Sequence, residues 1–353
     1  MKKMNIASSP DVEDAAGIVV YGYFYERQLL AAILITVAVL GTIGNCFVII
    51  AVGLSKKLRT TTNVFVVNLA VADVATCLFT PWQAVAILGG DGWPIPRATW
   101  VCTAAAFVVV VTIGCSVNNL ALIAVNRWVG ITKSRSTTHR IYTARKLALM
   151  VIFSWTIPLA CALTPVLTDI GELGYEVLYK SCTWVRSNPH TETYNLIIAA
   201  VYYPIQLCLI TASYLSIFYY VRKTSRATIE AVRGDKATKK KVSKRQLEVT
   251  KNLIYVVLAF VFCFTPYFIS LVASADWSYR LVPWGATIVL CNSSANPIIY
   301  ATSHPDFKEI FGYLIRCRKI PHSGQGNRSR TNTLTFTGSS VNQEYSVTNH
   351  HRV

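Results

Sequence analysis

Asn63–Leu88 reads NVFVVNLAVADVATCLFTPWQAVAIL. A helix needs about 20 mostly apolar residues to cross a bilayer, and this stretch supplies them with Asp73 as its one ionisable group. No alternation of apolar and polar positions runs through it, so it does not read as a surface helix or a strand. A carboxylate at such a depth costs roughly 2.5–3.5 kcal/mol on insertion scales. Asp73 therefore needs partners on other segments, and the stretch implies a bundle.

Six further apolar blocks satisfy the same length rule: Gln28 to Leu54, Thr99 to Ile131, Arg145 to Leu167, Tyr194 to Val221, Val249 to Ala273 and Arg280 to Thr302. Short polar connections separate most of them and leave no room for a water-soluble domain. The predicted fold is an all-α membrane protein, a seven-transmembrane helix bundle. Its organisation is a tail over residues 1–27, the bundle over 28–303, a short amphipathic helix over 304–317 and a disordered tail over 318–353. In the fourth of these segments polar, Ser/Thr-rich composition cannot bury enough surface to fold. Residues 5–14 are polar and acidic, so no cleavable signal peptide is visible and the first span is expected to act as its own insertion signal.

The whole-chain figures pull apart until they are divided by side. Of the residues 53% are hydrophobic and only 14% charged, yet the formal net charge is +17, and mean hydropathy is +0.41. Soluble domains carry roughly 25% charged residues, so the basic excess does not point to nucleic acid. With the N-terminus outside, 27 of the 34 Lys and Arg residues fall on the inner side and 7 on the outer. Cytoplasmic segments carry the Lys/Arg excess. The expected topology is a multi-pass plasma-membrane protein, N-terminus extracellular and C-terminus cytoplasmic. Cys102 and Cys182 then lie at the oxidising outer face and are the expected disulfide pair; the other reading is two unpaired structural thiols.

Polar residues recur at the depth of Asp73 in other spans: Asn45, Ser116 and Asn119, and Asn292, Ser293 and Asn296. One carboxylate with neutral oxygen donors suits ordered water or a small hard cation, and it equally suits a network that only joins helices. Pro158, Pro204, Pro266 and Pro297 each remove a helix hydrogen bond inside a span.

Gly44-Asn45, Leu69-Ala70-Val71-Ala72-Asp73, Asn126-Arg127-Trp128, Trp155, Phe264-Thr265-Pro266 and Asn296-Pro297-Ile298-Ile299-Tyr300, in that order with the two outer cysteines, closely resemble the rhodopsin-like (class A) G protein-coupled receptors. The resemblance covers about Gln28 to Cys317. It implies a cell-surface receptor, not an enzyme, that binds an extracellular ligand and activates heterotrimeric G proteins. It implies activation-switch roles for Asn126, Arg127, Trp128, Phe264, Pro266, Asn296, Pro297 and Tyr300. It also implies a sodium-linked polar network of Asn45, Asp73, Ser116, Asn292, Ser293 and Asn296, with Asp73 as the ion's carboxylate and no other cofactor. The Asn-Arg-aromatic motif is similar to the melatonin-receptor-like branch and its orphan relatives.

Departures from the family pattern bear on mechanism. Asn126 stands where an acid usually precedes the arginine, Trp128 replaces a tyrosine, Phe264 replaces a tryptophan, and Gln246 cannot form a charged lock. Pro204 lies ten residues before Tyr214 where eight is usual, so either the kink is displaced or the tyrosine is a different one. Together these imply a weakened resting latch and raised basal activity. The third span carries Val108 to Val111 where amine receptors place an aspartate, and Arg280 to Thr302 holds no lysine for a retinal Schiff base, so neither an aminergic receptor nor a light sensor is expected. Phe107, Val109, Tyr203, Phe264, Tyr267 and Trp284 are the predicted pocket residues for a neutral small molecule, with a peptide as the other option because Asp169, Glu172 and Glu176 lie in the loop before the fifth span.

On the inner side, eleven basic residues between Arg222 and Lys251 suit acidic membrane lipids. Phe307, Ile310, Phe311, Leu314 and Ile315 share one helical face ahead of Cys317, a candidate for palmitoylation. Ser329, Thr331, Thr333, Thr335, Thr337, Ser339 and Ser340 are candidate targets of receptor kinases, whose phosphates would dock arrestin. A transporter or channel is the competing class. It would want internal repeats or rings of charge, and the chain shows neither.

Overall fold

The computed structural model describes residues 19–231, 255, 257–273, 275–303 and 305–316. Cys317, the tail beyond it, Gln246 and most of the Arg222-to-Lys251 basic run lie outside these residues. The helices are α1 (Phe24–Leu54), α2 (Thr61–Leu88), α3 (Thr99–Thr132), α4 (Arg135–Ile141), α5 (Ala144–Thr168), α6 (Thr191–Ala231), α7 (Val257–Val272), α8 (Asp276–Ser303) and α9 (Pro305–Ile315). Between α5 and α6 an antiparallel hairpin pairs β1 (Glu172–Glu176) with β2 (Ser181–Val185), Leu173 opposite Trp184 and Tyr175 opposite Cys182.

Among the described residues, α1, α2, α3, α5 and α6 are long and apolar enough to cross a membrane. The remaining two expected spans are α7, described as a shorter apolar helix, and α8, which carries Asn292, Ser293, Ser294 and Asn296. The first helix starts at Phe24, ahead of the predicted Gln28, and α6 continues to Ala231 through a polar segment that the apolar count excluded. Large apolar side chains such as Leu40, Phe153, Leu209 and Phe262 are exposed on the outside of the bundle, where hydrocarbon is their solvent.

Since lipid is as apolar as a core, helix association depends on close packing and on hydrogen bonds between helices. Both are visible. Asn68 of α2 donates to Asn119 Oδ1 (2.8 Å) and Ser154 Oγ (2.9 Å) and accepts from Trp155 Nε1 (2.8 Å), which fastens α5 to α2 and α3. Asn45 Nδ2 donates to the carbonyl of Ser293 (2.8 Å), joining α1 to α8. Close packing rests on glycines: a Cβ on Gly114 would lie 2.5 Å from Pro158 Cβ, and one on Gly44 would lie 2.8 Å from Pro297 Cβ.

One apolar core gathers Val48, Phe65, Leu69, Ile210, Ile217, Phe260 and Tyr300 at the end away from the hairpin. A second lies under the hairpin around Trp93, Cys102, Leu173 and Trp184. The amphipathic helix α9 turns Phe307, Ile310 and Phe311 inward, with Phe307 stacked on Tyr300 at 5.5 Å, while Ile315 is exposed. Lys57 in the α1–α2 turn pairs with Asp306 (2.6 Å) and Glu309 (3.3 Å) at the start of α9. Its hydrogen bond to Asp306 raises the ammonium above the usual lysine value, so the tether holds through neutral pH and is lost only as pH climbs past that raised value.

Gly114→Ala forces a methyl against a rigid proline ring, and overpacking of this kind costs about 1–3 kcal/mol. The expected outcome is a lower melting temperature for the detergent-purified protein, measured beside Gly53→Ala, where nothing lies within 4 Å.

Candidate ligand pocket and the polar core beneath it

A cavity of about 300 Å³ opens between α3, α6, α7 and α8 beneath the hairpin. Val109, Ile113 and Val117 line it from α3 because a four-residue spacing keeps them on one helical face. Tyr203, Phe264 and Tyr267 line it as well. Two predicted residues do not. Phe107 packs towards the hairpin cluster of Trp93 and Trp184, and Trp284 packs on Val20, Tyr21 and Leu30. Each is turned about 200° from a cavity-lining neighbour two residues on, Val109 and Ala286 respectively.

The roof is bolted down. Cys102 and Cys182 form the expected disulfide, with Cα atoms 5.1 Å apart. Gln83 of α2 answers both backbone groups of Cys182: its Nε2 donates to the carbonyl (2.7 Å) and its Oε1 accepts from the amide (3.0 Å). Lys180 Nζ donates to the carbonyl of Gly90 (3.1 Å), and Tyr21 OH donates to the carbonyl of Tyr179 (2.6 Å). Buried Glu176 accepts from the amides of Leu178 (3.2 Å) and Arg186 (2.7 Å). Hairpin geometry absorbs this carboxylate, so it offers little to a basic peptide.

Arg186, Glu192 and Asn195 form a polar rim that the sequence reading missed. Arg186 lies 3.3 Å from Glu192 and 5.3 Å from the Tyr279 ring centroid. No short motif marks them, since they are brought together only by the fold of the hairpin onto α6 and α8.

Below the cavity, Asp73 is fully buried and hydrogen-bonded on both oxygens. Its Oδ1 accepts from Ser116 Oγ (2.7 Å) and Ser293 Oγ (2.9 Å), and its Oδ2 accepts from Asn296 Nδ2 (2.8 Å). Asn45 joins this group through the Ser293 carbonyl, and its own buried Oδ1 has no hydrogen-bond partner among the described residues. A carboxylate, two hydroxyls and a spare amide oxygen are all hard oxygen donors, the set a sodium ion takes. Asn292, predicted for the same network, instead faces a small cavity of about 20 Å³ with Arg127, Tyr214, Tyr300 and Asn296. Asn292 and Asn296, four residues apart, share one edge of α8, and Asn296 reaches Asp73 as Ser293 does.

Arg127 has no hydrogen bond or ion pair among the described residues. Asn126 turns away from it: Thr62 Oγ1 donates to Asn126 Oδ1 (2.6 Å). Burial pushes the Tyr142 phenol up, partly offset by a hydrogen bond with Asn126. Trp128 lies under Lys133, whose Nζ is 5.3 Å from the ring. Tyr214, ten residues after Pro204, is buried beside Arg127.

The model of the seven-transmembrane receptors of the rhodopsin family matches residues 44–300. The chain belongs to that family. It is therefore a multi-pass seven-transmembrane receptor, not an enzyme, and the transporter alternative falls. Melanopsin-A of Danio rerio is 29% identical over 316 residues, covering 84% of the receptor and 51% of that protein. Melanopsin of Mus musculus is 29% identical over 327 residues, covering 86% and 60%. The receptor spans about half the length of the curated relatives it matches. The crystal structure of squid rhodopsin matches with a TM-score of 0.68 at 19% identity, covering 89% of the receptor and 94% of that chain, and supports the bundle fold. These relatives carry the melanopsin name, and the expected melatonin-receptor-like and orphan labels gain nothing from them.

A retinal held as a Schiff base does not fit the cavity. The linkage needs a primary amine, and among the described residues no lysine lines the pocket, where α8 presents Pro283, Ala286, Thr287 and Leu290. Lys180, the lysine of the roof, is committed to Gly90.

Gln83→Leu would leave both backbone groups of Cys182 buried without partners, at about 1–3 kcal/mol each. The expected result is a lower melting temperature and faster amide exchange in Ser181–Val185, with the disulfide still formed.

Proposed function

We propose that the receptor binds a largely apolar, non-aminergic ligand non-covalently in the cavity beneath the hairpin and passes the signal to a heterotrimeric G protein at the Arg127 end. The observation that carries this reading is the cavity itself: apolar walls from Val109, Ile113 and Phe264, a polar rim at Arg186 and Asn195, and neither an acid on α3 nor a lysine on α8. Apolar pockets with a few placed polar groups are the ordinary form of a small-molecule site. A ligand with an uncharged body and one hydrogen-bonding end matches it. The charge partition of the sequence supports an extracellular hairpin end and a cytoplasmic Arg127 end. Arrestin and receptor kinases at the Ser/Thr-rich tail, and lipidation at Cys317, rest on sequence alone.

With Asn126 bound to Thr62, no acid among the described residues pairs with Arg127, which supports raised basal activity. The test is a G protein nucleotide-exchange assay on wild type, Arg127→Ala and Val109→Trp. Arg127→Ala is expected to lower basal and stimulated exchange at least tenfold. Val109→Trp, which fills the cavity, is expected to remove responses to apolar library compounds while basal exchange persists. Responses that survive Val109→Trp unchanged would place the ligand elsewhere.

We infer further that Asp73 holds a sodium ion together with the Ser116 and Ser293 hydroxyls. Wild type is expected to melt several degrees higher in sodium chloride than in equimolar potassium chloride, and Asp73→Asn to show no difference between the two salts.

A further inference from the structure

Two prolines interrupt neighbouring pocket helices: Pro204 in α6 and Pro266 in α7. The residues just before them are bonded to each other. Tyr203 OH and Thr265 Oγ1 are 2.6 Å apart. Around this bond the Tyr203 ring meets Phe268 at a tilt (centroids 4.9 Å) and stacks with Phe260 (5.9 Å) and Phe264 (6.5 Å), and Phe260 stacks on Phe264 at 4.8 Å. Both Tyr203 and Phe264 line the cavity, while Phe260 is buried in the core that includes Tyr214 and Tyr300. One side chain thus touches the pocket, the kink of α7 and the packing around Arg127.

The chemistry gives Thr265 two uses for its hydroxyl. Pro266 has no amide hydrogen, so the carbonyl of Phe262, four residues earlier, loses its helical partner. A threonine in a helix can bond a carbonyl three or four residues back, and such back-bonding bends the helix. The orphaned Phe262 carbonyl is three residues before Thr265. When Thr265 donates its one hydroxyl proton to Tyr203, that proton is withheld from the Phe262 carbonyl. The partner side is firm: Tyr202 OH donates to the Gly114 carbonyl (3.1 Å) and Gln206 Nε2 donates to Asn118 Oδ1 (3.0 Å), fastening this stretch of α6 to α3.

We propose that the Tyr203–Thr265 hydroxyl pair is the latch through which the contents of the pocket set the bend of α7. Tyr203 and Thr265 are positioning residues, acting on α7 and not on the G protein. A ligand that displaces the Tyr203 ring parts the pair, the Thr265 hydroxyl passes to the α7 backbone, and the helix changes its bend below Pro266. This deepens the receptor reading and rests on it only for what the movement serves. The test needs no ligand, so its failure is separable from failure of the pocket assignment.

The full-length receptor, with the exposed Cys208 replaced by serine, is reconstituted in lipid nanodiscs with nitroxides at Arg135→Cys and Tyr255→Cys. Double electron–electron resonance then reads the separation of the inner ends of α4 and α7. Tyr203→Phe, which frees the Thr265 hydroxyl for the backbone, is expected to change the ratio of short to long distances at least threefold. Thr265→Val, which has no hydroxyl to pass, is expected to cancel that change, so the double variant should match Thr265→Val alone, and Thr265→Ser, which keeps the hydroxyl, should match wild type. Thr265→Ala replaces the valine variant if its yield falls. Unchanged distances in Tyr203→Phe, or a double variant that keeps the Tyr203→Phe change, overturn the latch.

Discussion

A carboxylate with no water around it has to be satisfied by its neighbours, and the bundle is assembled around the way Asp73 is satisfied. Its three hydrogen bonds come from Ser116 on α3 and from Ser293 and Asn296 on α8, while the residue itself belongs to α2. Three helices are thereby fixed in rotation and depth at one level. In hydrocarbon no solvent competes for these groups, and a mispaired arrangement would strand a charge. Asn45 extends the constraint to α1 through the Ser293 carbonyl.

What lies above and below follows from that anchorage. With α2, α3 and α8 fixed, the remaining helices leave a cavity under the hairpin and a smaller one at Arg127, separated by the polar layer. The roof is held by a covalent bond and by the paired hydrogen bonds of Gln83, whereas the α6–α7 wall meets through stacked aromatic rings and the Tyr203–Thr265 bond. A stiff roof over a wall containing two prolines confines movement to the wall.

Much of this was legible. The spans, the disulfide pair and the partners of Asp73 among Ser116, Ser293 and Asn296 follow from blocks of apolar residues, from two cysteines at one face and from polar groups that must find one another. The pocket was half legible: Val109, Tyr203, Phe264 and Tyr267 face it, but Phe107 and Trp284 do not. Depth along a span can be counted residue by residue. Rotation cannot, because Phe107 is equally at home against lipid, a hairpin or a ligand. Asn292 shows the same limit, since its depth was right and its direction was not. Arg186, Glu192 and Gln83 were missed because their pairings run between a loop and three helices.

The sequence by itself determined that the chain crosses the membrane repeatedly, on which side its positive charge gathers, and which buried polar residues required partners. Those are consequences of transfer energy and of counting. Only the tertiary structure decided which face of each helix meets its neighbours, and hence that Asn126 bonds to Thr62 and leaves Arg127 unpaired among the described residues, and that Tyr203 reaches Thr265. In a bilayer the surroundings are as apolar as the core, so hydrophobicity does not mark the inward face. Packing at glycines and the pairing of polar groups choose it, and both require all the helices to be in place.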